Sequence, residues 1–253
     1  MDQARAHFMT GYQAVAATYE QTRPSYPSAA IDCLVSNLAI TPTSTVLDLA
    51  AGTGKLTRLL APRAGRLVAV EPVAAMRSTL EAAVPGARVL EGTAEAIPLG
   101  TDSVDSAVVG QAFHWFDGPR AAGELARVLR PRGRLGLIWN QRDESTEAQE
   151  RIAALLSRYR GSSLTFKNSG WQSTFTDSPV FDALEMAVFP NVHPLSKADL
   201  IGLIMSMSYM PGLSDRDRQS AIAEAGAIFD DVAGDQQQIL LAYDTRVYWA
   251  AAI

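Results

Sequence analysis

Asp48, Gly52, Gly54 and Glu71 are the residues whose types and spacing first suggest chemistry. In Val46-Leu-Asp-Leu-Ala-Ala-Gly-Thr-Gly-Lys-Leu-Thr57 a short apolar run carries an acid, a glycine turn follows, and a helix-starting pattern comes next. A strand hands a nucleotide-like ligand to a helix N-terminus in this way. Nineteen residues beyond Gly52 a second apolar run, Leu67–Val70, ends in Glu71. An acid at that place accepts hydrogen bonds from both ribose hydroxyls. The pair points to an adenosine-containing cofactor. Each residue also has a plainer reading: the glycines as an ordinary turn, Asp48 as a structural acid, and Glu71 as a cap for the helix after it.

The elements that must position these residues alternate. Strand patterns fall at 46–49, 67–70, 87–90, 104–109 and 135–139. Helical patterns fall at 54–60, at 73–84 with Val73, Met76 and Leu80 on one face, and from a cap at Asp117 to about Leu129. Such alternation predicts an α/β fold with a parallel sheet and helices on both faces. Ligands in such sheets sit at the carboxyl ends of strands, and Ala50–Gly54, Glu71, Thr93–Glu95 and Gln111–Trp115 all lie at such ends. The second part is less regular. Helices are expected at 147–159, 196–207 and 215–232, a polar loop at 161–170, a sixth strand at 184–189 and a last strand pattern at 238–249. No Pro/Gly/Ser-rich linker divides the chain. The expectation is one domain over 1–253, with an N-terminal helical lead-in (1–40), a cofactor-binding core (41–140) and a helical cover (about 194–233) inserted before the last strand.

Bulk properties narrow the function. The 253 residues are 47% hydrophobic and 19% charged, enough for a sizeable core. The net charge of −5 gives no reason to expect nucleic acid or an anionic membrane as partner. One cysteine, Cys33, leaves no disulfide framework and no cysteine-built metal site, and its apolar neighbours predict a buried, inert thiol. With no signal-peptide pattern and no apolar run near ~20 residues, the expectation is a soluble, cytoplasmic protein. No metal-ligating cluster is expected, and the oligomeric state stays open.

The spacing Ala50-x-Gly52-x-Gly54, with Thr57 where a dinucleotide fingerprint has its third glycine, disfavours a nicotinamide-dependent oxidoreductase. No P-loop pattern occurs. Asp48, two residues before the turn, is placed to meet an ammonium group, which a pyrophosphate lacks. Here the chain resembles a known family. Asp48-Leu-Ala-Ala-Gly-Thr-Gly54 is similar to motif I of class I S-adenosylmethionine-dependent methyltransferases. Val70-Glu-Pro-Val-Ala-Ala-Met76 resembles the element after it, and Gly92-Thr-Ala-Glu-Ala-Ile-Pro-Leu99 the segment that lines the adenine. Asp105–Gln111 with Ala112-Phe-His-Trp-Phe-Asp117 resembles the fourth strand and its sequel in the type 11 group. Arg127-Val-Leu-Arg-Pro-Arg-Gly-Arg-Leu135 resembles the turn before strand five. Tyr19-Glu-Gln-Thr-Arg-Pro-Ser-Tyr-Pro27 and Leu241–Tyr248 resemble the opening and closing segments of one bacterial subgroup. Ala50 stands where the family has a first glycine, and Thr93 where it has an aspartate.

The resemblance implies a Rossmann-like, doubly wound, seven-stranded and mostly parallel sheet with a helical lid. It implies S-adenosylmethionine as cofactor, S-adenosylhomocysteine as product, and direct methyl transfer to a small, partly apolar acceptor. It assigns cofactor contacts to Tyr19, Arg23, Asp48, Ala50, Gly52, Gly54, Glu71, Pro72, Met76, Thr93, Ala94, Glu95 and Gln111. Tyr26, His114, Trp115, Met205 and Tyr209 are the expected acceptor contacts. His114, alone among three histidines at a strand's carboxyl end, is the candidate base, against a packed histidine that shapes the pocket. Tyr19 and Arg23 read equally as a packed tyrosine and a surface arginine. The apolar block Leu200–Met210 reads as lid core or as a pocket wall. The alternative function is a cofactor-binding homologue that catalyses a non-methylating reaction or serves as a scaffold.

Overall fold

The computed structural model of the chain describes residues 20–161 and 165–253. His7, Tyr19 and the rest of the first 19 residues, and 162–164 of the polar loop, lie outside the described residues.

Seven strands are present: β1 (Thr45–Leu49), β2 (Arg66–Val70), β3 (Arg88–Leu90), β4 (Val104–Gly110), β5 (Leu129–Arg142), β6 (Glu185–Leu195) and β7 (Ile239–Ala251). They form one sheet in the order β3-β2-β1-β4-β5-β7-β6. The pairings β1 with β2, β1 with β4, β2 with β3 and β4 with β5 are parallel. Among the described residues seven helices accompany them: α1 (Ser28–Asn37), α2 (Lys55–Leu60), α3 (Ala74–Ala83), α4 (Gly118–Val128), α5 (Glu147–Arg160), α6 (Lys197–Met205) and α7 (Asp215–Ala233). None of those described is long and apolar enough to cross a membrane.

The chain divides into two compact units. The larger, the core unit, is Ser25–Asn140 with Leu164–Phe189 and Thr245–Ile253. Its central strands are mostly apolar because both faces are covered: Val46, Leu47, Leu49 and Leu67–Val70 are all buried, and Asp48 is a buried acid among them. The helices end where local chemistry demands. α3 buries Met76 and Leu80, one turn apart, and stops before Pro85-Gly86. α4 starts at Asp117, whose carboxylate accepts from the Arg120 N–H, with Pro119 in the first turn.

The smaller, the helical unit, is Met1–Pro24, Gln141–Ser163 and Pro190–Asp244. Ile152, Leu155, Leu203, Ile204, Ile228 and Leu241 share its own apolar core. A capping box at Ser196 opens α6, the hydroxyl taking the Asp199 N–H and the Asp199 carboxylate returning to the Ser196 N–H. In the apolar block, Leu200, Leu203, Ile204, Met207 and Met210 are core, while Met205 and Tyr209 are half-buried.

Three features differ from expectation. β5 begins at Leu129, and Arg130-Pro-Arg-Gly133 lies within it. Leu129 pairs with Val104, the register shifts before Ser106 meets Arg134, and Arg132 takes φ +68°. The turn chemistry made a bulged strand start because both sides of it kept sheet partners. β6 runs on to Leu195 through Pro190 and Pro194. It stands last in the strand order, where a missing N–H costs no ladder bond. Cys33 is half-buried, at the margin of the α1 core. Burial still pushes its thiol pKa up, against a hydrogen bond from Asn37.

Candidate active site

The carboxyl ends of β1, β2 and β4 are built as one edge. The ladder runs to its limit there: the Ala51 N–H donates to the Val70 carbonyl (3.2 Å), Glu71 to Leu90 (3.1 Å) and Gln111 to Ile138 (2.9 Å). Just past β1 the backbone turns left-handed three times, at Ala50 (φ +56°), Gly52 (+58°) and Gly54 (+86°). A side chain on Gly54 would meet Leu80 Cγ at 3.0 Å, so glycine is required twice over. One on Gly52 would touch only Met76 Sδ, at 3.8 Å, so φ alone sets the demand there. Ala50 and Gln111 (φ +59°) hold this conformation with side chains, at a cost of roughly 1–2 kcal/mol each. Strain of this kind is kept where the neighbouring structure fixes it.

Two acids meet at this edge. Glu71 is 4% exposed. Its Oε2 accepts from the Gly52 N–H (2.9 Å) and its Oε1 from the Val73 N–H (2.8 Å), so it clamps the glycine turn to the start of α3. Each oxygen retains a further lone pair. Arg77 secures the same corner through the Glu71 and Pro72 carbonyls. Burial pushes the Glu71 pKa up, while the two N–H groups and Arg77 oppose it. Asp48 is 1% exposed, and its Oδ2 accepts from the Thr57 hydroxyl at 2.6 Å. Its Oδ1 is buried with no hydrogen-bond partner. Burial pushes the Asp48 pKa up to about 7, and the Glu71 charge adds to it against the Thr57 bond. A buried carboxylate oxygen with nothing to accept is costly, and it marks a place for a donor.

The segment after β3 is held by α4. The Ile97 N–H donates to Glu124, and Arg127, paired with Glu124, donates to the Ile97 and Leu99 carbonyls. A side chain on Gly92 would strike Pro98 at 2.6 Å. Thr93 is exposed, Ala94 buried and Glu95 half-buried. The Glu95 carboxylate accepts from the Asp117 N–H at 2.9 Å, which joins this loop to the one after β4.

After β4, Phe113–Trp115 form a single 3₁₀ turn. The Trp139 indole N–H donates to His114 Nδ1 at 3.3 Å. An indole only donates, so Nδ1 is the acceptor and Nε2 carries the proton. Burial pushes the His114 pKa down to about 4. The ring is neutral at pH 7, with its Nε2–H as a donor. Trp115 lies 5.0 Å from it between ring centroids and is half-buried. Trp139 stacks on Trp171 at 4.6 Å behind them. Gly110, the last residue of β4, makes room for Tyr26, whose hydroxyl would stand 2.9 Å from any Cβ there.

Tyr26, Asp48, Ala50, Gly52, Gly54, Glu71, Pro72, Met76, Thr93, Ala94, Glu95, Gln111, His114 and Trp115 all belong to the core unit. Arg23, Met205 and Tyr209 belong to the helical unit. There the Arg23 guanidinium donates to the Ser206 hydroxyl (3.0 Å) and carbonyl (3.2 Å). Burial raises the Tyr209 phenol pKa against Arg142, Arg160 and Arg23. Sequence reasoning missed Thr57, Trp139 and the Glu124–Arg127 pair. Thr57 had a signal, standing three residues beyond Gly54 in the first turn of α2; the others act across 25 residues or more and left none.

Comparison with known proteins bears on the family and the fold. A family model described as a methyltransferase domain matches residues 47–137. An uncharacterized methyltransferase-like protein of Schizosaccharomyces pombe is 34% identical over 235 residues, covering 92% of this chain and 91% of that protein. An uncharacterized methyltransferase of Mycobacterium tuberculosis is 46% identical over 155 residues, 61% of this chain and 62% of that one. Among solved structures, the YcgJ protein of Bacillus subtilis aligns with a TM-score of 0.59 at 19% identity, over 89% of this chain and 98% of that one. Geranyl diphosphate C-methyltransferase of Streptomyces coelicolor, in complex with Mg2+, geranyl-S-thiolodiphosphate and S-adenosyl-L-homocysteine, aligns with a TM-score of 0.52 at 14% identity, over 89% of this chain and 76% of that one. At such identities the structural likeness is one of fold.

Proposed function

The chain belongs to the class I S-adenosylmethionine-dependent methyltransferases, and from that membership we propose that it moves a methyl group from S-adenosylmethionine directly onto a small, partly apolar acceptor. The observation that carries the cofactor assignment is the partnerless Oδ1 of Asp48, buried beside a turn of left-handed backbone. When bound, the sulfonium supplies a methyl group whose displacement needs no covalent enzyme intermediate.

The residues divide the work. Asp48 Oδ1 accepts from the ammonium group of the cofactor. Gly52 and Gly54, with Ala50, bring bare backbone against the methionine part. Glu71 keeps one lone pair on each oxygen for the ribose hydroxyls, with Pro72 and Met76 beside it. Thr93, Ala94 and Glu95 line the adenine, the Thr93 hydroxyl accepting from its amino group, and Gln111 closes the β4 side. Arg23, with Tyr19, takes the cofactor carboxylate by the family resemblance. Tyr26, Trp115, Met205 and Tyr209 shape the acceptor site. Substrate choice falls to the helical segment near 194–233 within a single 1–253 catalytic domain. A cytoplasmic setting with no nucleic-acid or membrane partner belongs to the same reading, for which the −5 charge is the support regarding nucleic acid.

His114 enters this mechanism as a donor. With Nδ1 engaged and a pKa near 4, its Nε2–H orients an oxygen of the acceptor and takes up no proton at pH 7. The acceptor then arrives already nucleophilic, and catalysis is alignment and exclusion of water. His114→Gln, which keeps a donor, should retain more turnover than His114→Phe. The wild-type rate should show no inflection between pH 6 and pH 7 owing to a histidine. A bell with a limb at 6.5 that vanishes in His114→Gln would restore the base.

Calorimetric titration with S-adenosylhomocysteine tests the cofactor assignment. Wild type should bind in the micromolar range, and Glu71→Ala should weaken binding by about tenfold or more, the loss of charge-assisted bonds. Folded wild type that does not bind, alone or with candidate acceptors, overturns it. Binding without methyl transfer to any acceptor would leave the non-methylating alternative standing.

A further inference from the structure

The amino ends of the strands hold a cavity of about 340 Å³ within the core unit. Arg66, Arg88, Arg130, Thr45 and Ser103 supply its polar wall, and Leu99 is among its apolar residues. The sheet register puts two of the arginines side by side. Val68 lies level with Arg88, and Arg66 precedes Val68 by two residues. Residues two apart share a face, so Arg66 and Arg88 leave the same face of adjacent strands. Thr45, level with Arg66 on β1, joins them.

The charges here are not balanced. Arg130 pairs with Asp105 at 2.5 Å and donates to the Asp102 carbonyl. Arg66 and Arg88 are exposed, and neither guanidinium has a hydrogen-bond or ion-pair partner among the described residues. Two unmatched cations thus share one hollow in a chain whose net charge is −5. The Ser103 hydroxyl in the same wall is buried and has no partner either. A buried polar atom left unsatisfied asks for a missing partner. Two guanidiniums and a hydroxyl are the donor set of a phosphate site. The volume suits a small molecule, and Leu99 with Val68 and Val104 gives it an apolar side.

We propose that this cavity binds a small phosphomonoester carrying an apolar group. It is separate from the site of Asp48 and Glu71. Four strand steps divide Thr45 from Leu49 on β1, about 13 Å at the spacing of an extended chain. The proposal does not depend on the methyltransferase reading.

Phenyl phosphate titrated into the full chain in phosphate- and sulfate-free buffer is the test, with Arg66→Gln/Arg88→Gln as the control. Both arginines are exposed and unpaired, so the double variant should fold, and its S-adenosylhomocysteine affinity should match wild type. Wild type should bind phenyl phosphate saturably, and the double variant should lose about tenfold or more. Ser103→Ala should lose a smaller factor. Equal binding by wild type and the double variant, or no saturation by about 10 mM, overturns the proposal. Inorganic phosphate binding as tightly as phenyl phosphate would remove its apolar part.

Discussion

Asp48 carries more unresolved electrostatic tension than any other residue at the candidate site. Its carboxyl, near 3.8 ordinarily, stands at about 7 in the fold because it is buried beside Glu71. The sign follows from linkage. The folded state binds the proton more tightly, so the stabilising effect is complete below pH 4 and is lost as pH rises to about 7. That difference is worth up to about 4 kcal/mol. Asp48→Asn should escape that loss, so its advantage in unfolding free energy should grow between pH 4.5 and pH 8 in urea denaturation. The ammonium group of the ligand favours the ionised acid, so wild-type S-adenosylhomocysteine affinity should rise from pH 6 to pH 8, with proton release in calorimetry. Asp48→Asn should bind weakly and without that dependence. Ala50 offers a second test. Ala50→Gly relieves roughly 1–2 kcal/mol of left-handed strain and costs roughly 0.5–1 kcal/mol in chain entropy, for a small net gain. Ala50→Val should lose more than about 1 kcal/mol, because a β-branched residue is an outlier there; thermal unfolding of the pair decides. At this scale the sequence disclosed which acids and glycines to watch, since spacing after an apolar run is local information. It did not disclose that Trp139 would fix the His114 tautomer or that Thr57 would occupy one oxygen of Asp48. Those bonds follow from pairings across the sheet and through a turn.

Among the elements, the buried parallel strands were the most legible, because a strand covered on both faces is apolar without interruption. β1, β2 and β4 lie within a residue of the expected bounds. The start of β5 and the far half of β6 were hidden for one reason: Pro131, Pro190 and Pro194 read as breaks, and proline is tolerated at bulges and sheet edges. The helices of the second unit were legible from caps. Ser196, with Asp199 three residues on, is the capping box that opens α6. Ser196→Ala should cost about 1 kcal/mol in denaturant unfolding. Asp199→Ala should cost a similar amount, and the double variant less than the sum.

For the whole molecule, the division into two units was the least legible feature. Each unit is assembled from three separated segments, and no linker composition announces a boundary that exists only in long-range contacts. The helical unit has its own core, built on Leu155, Leu203 and Ile228. Charge and composition constrain partners at this scale, and they give no hint that Arg66 and Arg88 gather at one edge while the net charge is negative. β6 bears on the behaviour of many copies together. It stands last in the strand order, and after Glu185 its exposed positions read Met186, Val188, Pro190, Val192, Pro194. Pro190→Val/Pro194→Val should bring concentration-dependent association, measured by light scattering, where wild type shows less. Greasy residues on an open margin invite a neighbouring copy to stack on and propagate a fibre. Proline carries no amide proton, so Pro190 and Pro194 thin the row of donors along this last strand and leave a neighbouring copy a poorer template.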